Sequence, residues 1–309
     1  MRIVFFGSPE DSLPALDALA VSRHSVLACY TQTDRKAGRG KKFLPTAVKT
    51  QAEALGIPVF SPTRLKGNDD ELSRLAELNA DAFVVVSYGR ILPKELLDLP
   101  KFGVINIHPS MLPEFRGPSP VVSAILEGVD QTGVSIMFLD EGMDTGPVLA
   151  QSEPVTLSGD ELAPELQRKL FTVGASLLTS TLDELEHGTA SATPQEDSAA
   201  TVTRLIEKGD GEIDWSESAE VIDRKIRALN PWPGTFTTFE GGNLKILEAT
   251  ETSWDWQPGQ ALIKEGKLYV GTGTAVLQIE TLQLAGKPRV NATDFVRGYP
   301  RIDGVVLGS

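Results

Sequence analysis

The chain has 309 residues, 41% of them hydrophobic and 23% charged, and a net charge of −13. This length and balance suit a globular protein of two domains, and the acidity argues against nucleic-acid binding through the surface as a whole. The single cysteine excludes an internal disulfide framework and a cysteine-based zinc cluster, and three histidines argue against a histidine-rich metal site. No apolar run reaches the roughly 18 residues of a spanning helix, and Met1–Phe6 is too short for a signal peptide, so the cytoplasm is the expected compartment.

Ile3–Phe6 reads as a strand that ends at Gly7-Ser-Pro, and Asp11–Val21 as a helix. Gly7-Ser-Pro-Glu-Asp does not satisfy Gly-x-Gly-x-x-Gly, so no dinucleotide fingerprint is present. Val26–Thr31 is the next strand, with Cys29 a buried position in it. Asp34–Lys49 then reverses the sign of the chain: Arg35, Lys36, Arg39, Lys41, Lys42 and Lys49 face Asp34 alone, a local balance of +5. Such a run is either a solvated loop or a concentrated patch for RNA, and Gly38 and Gly40 around Arg39 favour adaptability. Helix Thr46–Leu55, strand Val59-Phe60, a helix from Asp69 to Leu78 capped by Asn68, and the continuous apolar strand Ala82–Val86 follow. Alternation of this kind predicts an α/β, Rossmann-like, doubly wound and mostly parallel sheet.

The richest stretch is Gly103–Gly117. Val104–His108 has the branched apolar residues of a short strand, and Pro109 ends its ladder. Asn106 and His108 project from one face, Ile105 and Ile107 from the other. In open α/β sheets ligands bind beyond the C-terminal ends of the strands. An amide that donates to a carbonyl oxygen and an imidazole that moves a proton therefore stand together at a binding edge. A strand end capped by Asn and His is the plainer alternative. Downstream, Leu139–Pro147 carries Asp140, Glu141 and Asp144 in a sharp loop, the source of a carboxylate to orient the imidazole.

Helix Pro118–Leu126, strands Gly133–Leu139 and Val148–Val155, and helix Asp160–Leu185 with Pro164 in its first turn complete the first domain, 1–187. His24 in a turn and His187 at a helix end read as structural. Residues 188–204 are small, polar and aperiodic, the composition of a linker. From 205 to 309, a helix Glu217–Leu229 capped by Ser216 precedes short strands at regular spacing, the pattern of a small β-barrel. The strands are Thr235–Phe239, Leu244–Glu248, Gln260–Lys264, Leu268–Val270 and Ala275–Leu284. That region has 11 basic and 15 acidic residues and neither His nor Cys.

Ile105–Pro113 with Arg116-Gly117 and Met143-Asp-Thr-Gly146 resembles the formyltransferases that use 10-formyltetrahydrofolate. Thr31–Lys42 and Arg227-Ala-Leu-Asn-Pro-Trp-Pro233 narrow the resemblance to the branch whose acceptor is methionyl initiator tRNA, and it extends over nearly the whole chain. Met111 stands where Leu is usual, and the turn after Gly7 is slightly short. The resemblance implies an OB-like C-terminal barrel that positions tRNA, and catalysis by Asn106, His108 and Asp144. It further implies a folate slot shaped by Leu92, Ser110, Met111, Leu112 and Pro113, and tRNA contacts from Arg35, Lys36, Arg39, Lys41 and Lys42. Arg116 is a candidate for the folate tail or the acceptor end. The implied partners are 10-formyltetrahydrofolate as cosubstrate and initiator methionyl-tRNA, with no metal, DNA or membrane, on a monomer. Enzymes of the same chemistry that act on nucleotide sugars or glycinamide ribonucleotide are the nearest alternatives.

Overall fold

The computed structural model describes residues 1–37 and 42–308, with backbone alone at positions 36, 37 and 42. Two compact units make up the chain. The first comprises Met1–Pro120, Gln131–Thr156 and Leu166–Thr203; the second comprises Val121–Asp130, Leu157–Glu165 and Arg204–Ser309.

The first half of the chain runs β1 (Arg2–Gly7), α1 (Leu13–Ala20), β2 (Ser25–Tyr30), β3 (Arg35–Ala37), β4 (Lys42–Leu44), α2 (Ala47–Ala54), β5 (Val59–Phe60), α3 (Asp69–Glu77), β6 (Ala82–Val86), α4 (Lys94–Leu97) and β7 (Val104–His108). There follow α5 (Pro120–Glu127), β8 (Gln131–Thr132), β9 (Ser135–Phe138), β10 (Val148–Gln151), β11 (Val155–Thr156) and α6 (Ala163–His187). The main sheet has the order β10-β9-β7-β6-β1-β2-β5. Its five strands from β5 to β7 are parallel, and β9 and β10 are antiparallel additions at the β7 side. All of β6, and β1 beyond Arg2, are buried, as strands covered on both faces must be, and their unbroken apolar sequence follows from that. The chain builds outward from β1 through β2 to β5, then returns to β1's other side as β6. That reversal makes a crevice beyond the strands' C-terminal ends, where β7 also ends.

Asn68 caps α3 as its sequence position predicts, its side chain accepting from the Glu71 N–H at 3.3 Å. The single strand expected over Val148–Val155 is two: β10 stops at Gln151, and Pro154, with no N–H to offer a ladder, precedes β11, which pairs with β8. The basic segment contains a short antiparallel hairpin, β3 with β4, which its alternation-free sequence does not signal.

In the second unit α7 (Ala219–Leu229) is capped by Ser218, which accepts from the Val221 N–H at 3.3 Å. The expected cap, Ser216, instead donates its hydroxyl to Asp214 Oδ1 at 2.6 Å, a local turn that competes with helix entry. An antiparallel sheet is formed by β12 (Thr235–Phe239), β13 (Gly242–Thr252), β14 (Ala261–Lys264), β15 (Lys267–Gly271) and β16 (Val276–Leu284) in the order β12-β13-β16-β15-β14, with β17 (Val290–Asn291) paired to β16. β13 runs past the predicted Glu248 because register shifts around that residue carry it through a bulge and on. A short helix α8 (Ala292–Gly298), absent from the sequence reading, follows. Ile222 and Ile226 of α7, Phe239, Leu244, Ile246, Leu268, Leu277 and Phe295 form one apolar core.

Candidate active site

Asn106 and His108 lie on β7 between β6 and β9, where Asn106 is opposite Val85 on one side and Met137 on the other. Both side chains leave the same face, two residues apart, at the mouth of the crevice. The Asn106 amide has no hydrogen-bond partner among the described residues and is half-buried, so its donors face outward from a fixed strand.

His108 is 4% exposed. Its Nε2 lies 2.9 Å from the Phe115 carbonyl oxygen, to which it donates. That bond fixes the ring and leaves Nδ1 as the nitrogen open to a second partner. Nδ1 faces Asp144 Oδ2 at 3.6 Å, beyond a hydrogen bond and wide enough that an atom shared by both can lie to the side. Asp144 Oδ2 also accepts from the Gly117 N–H at 2.8 Å, which ties the carboxylate to the loop that holds Phe115.

The three acids of the Asp144 loop have separate tasks. Asp140 accepts from the Gly142 N–H at 3.0 Å and from the Thr145 hydroxyl at 2.8 Å, closing the loop on itself. Glu141 pairs with Lys94 at 2.5 Å. Only Asp144 turns toward the imidazole, and it does so from a left-handed backbone, φ 55°. Phe115, whose carbonyl anchors His108, is at φ 56°, and Ser87, just after β6, is at φ 49°. Non-glycine residues avoid this region, so the surrounding hydrogen bonds must hold them there.

The expected folate-slot residues differ in placement. Ser110 is fully buried and its hydroxyl donates to the Glu114 carbonyl at 2.6 Å, so it shapes the turn from inside. The Leu112 N–H donates to Ser135 Oγ at 3.0 Å and its carbonyl accepts from Gln151 Nε2 at 2.8 Å, which locks the backbone beside the half-buried Met111 and Pro113. Leu92, 7% exposed, belongs to the apolar cluster of Val85, Tyr88, Leu96 and Val104, while its neighbour Ile91 is 89% exposed.

Arg116, a candidate ligand for the folate tail or the acceptor end, is turned inward. It is 6% exposed, its Nε donates to Gln195 Oε1 at 2.9 Å, and its Nη2 lies 2.9 Å from Asp197 Oδ1. Of the basic segment, Arg35 is exposed and bonded to Gln32, and Lys49 is paired with Asp34 at 3.0 Å. Lys36 and Lys42 sit on β3 and β4; Arg39 and Lys41 lie outside the described residues. Cys29 is fully buried, and burial pushes its thiol up to about 12, which removes it as a nucleophile. His187 Nδ1 lies 2.7 Å from the Asp183 carbonyl at its helix end, a structural role.

Three contributors escaped the sequence reading: the Phe115 carbonyl, the Gly117 N–H and the segment 193–203. The first two are backbone groups that no residue type announces. The last has only the composition of a linker.

Comparisons with known proteins cover the same ground. The Formyl transferase family model matches residues 1–182, and the model of the Formyl transferase C-terminal domain matches residues 205–300. Methionyl-tRNA formyltransferase of Roseiflexus castenholzii is 44% identical over 312 residues, covering 100% of this chain and 99% of the relative. The protein of the same name from Gluconobacter oxydans is 44% identical, covering 99% and 100%. Among solved structures, the N-formyltransferase from Helicobacter canadensis in complex with folinic acid and dTDP-3-aminofucose superposes with a TM-score of 0.67 at 17% identity, over 90% of this chain and 98% of that one. HypX from Aquifex aeolicus in complex with tetrahydrofolic acid gives a TM-score of 0.64 at 18% identity, over 96% of this chain and 47% of that one. At these identities the two structures share the fold.

Proposed function

Because the chain belongs to the formyl transferase family, we infer that it moves the formyl group of 10-formyltetrahydrofolate to the α-amine of methionyl initiator tRNA. The observation that carries the acceptor is the full-length similarity to methionyl-tRNA formyltransferases, which includes the C-terminal region that a catalytic domain alone would lack.

The site chemistry follows from the groups on β7 and its loops. The methionyl nitrogen attacks the formyl carbon and the carbonyl oxygen gains negative charge. The amine gives up one proton, and the bond to the folate nitrogen breaks as that nitrogen takes a proton in its place, so that an N-formyl amine and tetrahydrofolate result. Asn106 donates its amide N–H to the developing oxyanion; a preorganised donor of this kind stabilises the transition state because it needs no reorientation. His108, anchored through Nε2, acts through Nδ1, either as a donor to the same oxygen or as the relay of a proton to the leaving nitrogen. Asp144, 3.6 Å away, orients that nitrogen. Met111, Pro113 and the locked backbone of Leu112 form the wall for the pterin, with Ser110 and Leu92 behind it.

The hairpin β3–β4 and the intervening residues, with Arg35, Lys36, Arg39, Lys41 and Lys42, contact tRNA phosphates. The second unit positions the RNA by shape, since its charge is slightly acidic. The enzyme works as a monomer in the cytoplasm; no helix among the described residues is long and apolar enough to cross a membrane. One assay tests the function: with 10-formyltetrahydrofolate as donor, charged initiator tRNA, a nucleotide amino sugar and water are compared as acceptors. Formylation of the tRNA alone is expected, and a preference for the sugar would overturn the acceptor.

A further inference from the structure

Residues 191–199 are exposed with one exception, Gln195. Its side chain is bonded at every polar atom that faces the protein. Nε2 donates to the Asp144 carbonyl at 2.8 Å and to the Gly146 carbonyl at 2.7 Å, while Oε1 accepts from Arg116 Nε at 2.9 Å. One amide therefore joins the loop carrying Asp144 to the loop carrying Phe115, whose carbonyl anchors His108. The segment around it is fastened to the same two loops. Thr193 and Val148 exchange backbone hydrogen bonds at 2.9 and 2.8 Å, Thr201 Oγ1 accepts from the Phe115 N–H at 2.7 Å, and the Arg116 N–H donates to the Thr201 carbonyl at 2.9 Å. A side chain at Gly146 would overlap the Phe138 carbonyl, so the strand side of the loop is closed and Gln195 holds the other.

Asp144 has a left-handed backbone, φ 55°, a region that non-glycine residues seldom adopt. A donor shared by the carbonyls of residues 144 and 146 opposes relaxation of that turn, and relaxation would swing the carboxylate away from Nδ1. We propose that Gln195 is a positioning residue for the formyl transfer, acting through Asp144, so that the stretch 193–203 of the first unit is part of the active-site scaffold. The inference rests on the catalytic role of Asp144 given above.

The test is a double-mutant cycle on the full chain with methionyl-tRNA and 10-formyltetrahydrofolate. Gln195→Met keeps the length and donates nothing. It is expected to lower kcat on the order of 10²-fold, the cost of misplacing a catalytic group by about 1 Å, with both KM values within about twofold. In an Asp144→Asn background the same change should cost nothing further, because groups that act as a unit are not additive. Gln195→Glu keeps the bond to Arg116 but turns an oxygen toward two carbonyls, so it should fold and lose activity as the Met variant does. Additive losses, wild-type kcat in either variant, or loss of cooperative unfolding in both would overturn the proposal. Wild-type kcat in Asp144→Asn alone would instead overturn the site assignment, and this inference with it.

Discussion

In the second unit the two non-glycine residues with left-handed backbone, Glu240 and Glu265, occupy the tips of the β12–β13 and β14–β15 hairpins, each followed by a glycine of the same hand, Gly241 and Gly266. Among the described residues of the first unit, Ser87 just after β6 and Phe115 and Asp144 in the loops that follow β7 and β9 carry the same conformation, and Asn79, after α3, serves a plain helix exit. A hairpin tip needs that backbone to reverse the chain, and Asn or Gly would serve as well. At Phe115 and Asp144 the conformation decides where a carbonyl and a carboxylate point. The first unit has this uncommon backbone at groups of the candidate site; the second keeps it for turns. The same division shows in residue types, since all three histidines and the cysteine precede residue 205.

The largest expected effect lies at β7 and its partner loop. Asn106→Ala, His108→Ala and Asp144→Ala should each lower turnover on the order of 10²–10⁴-fold, with tRNA binding within a few fold of wild type. Glu265→Ala, at a left-handed hairpin tip of the second unit, should leave turnover unchanged. Steady-state kinetics on all four variants checks this, and near-normal turnover of His108→Ala would end the assignment.

A pair of glycines makes the comparison sharper. A Cβ at Gly146 would come within 1.9 Å of the Phe138 carbonyl oxygen, a backbone atom that cannot rotate aside. Gly146→Ala must therefore shift the Asp144 loop and should lower kcat about 10- to 100-fold. Gly241, at φ 72°, has nothing within 4 Å of a built Cβ. Gly241→Ala pays only the left-handed backbone cost, roughly 1 kcal/mol of stability, with kcat unchanged. Thermal unfolding and kcat measured side by side would separate the two; equal losses of kcat would dissolve the distinction between the units.

Charge gives a third contrast. In the second unit Arg289 is paired with Glu248 and Arg301 with Glu240. These cations have little to release to a phosphate. Removing Lys41 and Lys42 together should reduce the slope of log affinity for initiator tRNA against log salt by about two, while Arg289→Ala with Arg301→Ala should change it by less than about one. Arg39→Ala should weaken turnover on tRNA far more than folate binding, and Arg39→Lys should do so less, because the guanidinium fork pairs with phosphate in two places.

Much of this fold was legible in the sequence because it depends on side-chain pattern. The continuous run Ala82–Val86 gave a doubly covered strand, and Asn68 gave a helix start with its bond in place. Asn106 and His108 were legible as same-face neighbours from the two-residue period alone. Backbone partners were not legible. Nothing in the letters of Phe115 or Gly117 says that one offers a carbonyl to an imidazole and the other an N–H to a carboxylate. Arg116 misled because a buried guanidinium and an exposed one look the same in sequence, and its partners Gln195 and Asp197 lie some 80 residues on, in a stretch with linker composition. The cap of α7 was misplaced by two residues because Ser216 and Ser218 are both good caps, and only Asp214 decides between them.

The smallest expected effect uses a native reporter in each unit. Cys29, the lone cysteine, is fully buried in β2 of the first unit, and all four tryptophans are in the second, where Trp215 is 5% exposed and donates its Nε1–H to Thr237 Oγ1 at 3.0 Å. Burial holds the Cys29 thiol at about 12, so alkylation at neutral pH requires the first unit to open. A ligand that binds only the folded unit lowers the open population by the factor 1 + [L]/Kd. Tetrahydrofolate at ten times its Kd should therefore slow Cys29 alkylation by about tenfold under conditions where reclosing outpaces the reagent. The denaturation midpoint followed by the fluorescence of the four tryptophans should move less than the midpoint followed by Cys29. A folate that shifted the tryptophan transition and left alkylation of Cys29 unchanged would put the ligand on the second unit, and the separation of chemistry from scaffold between the two would be wrong.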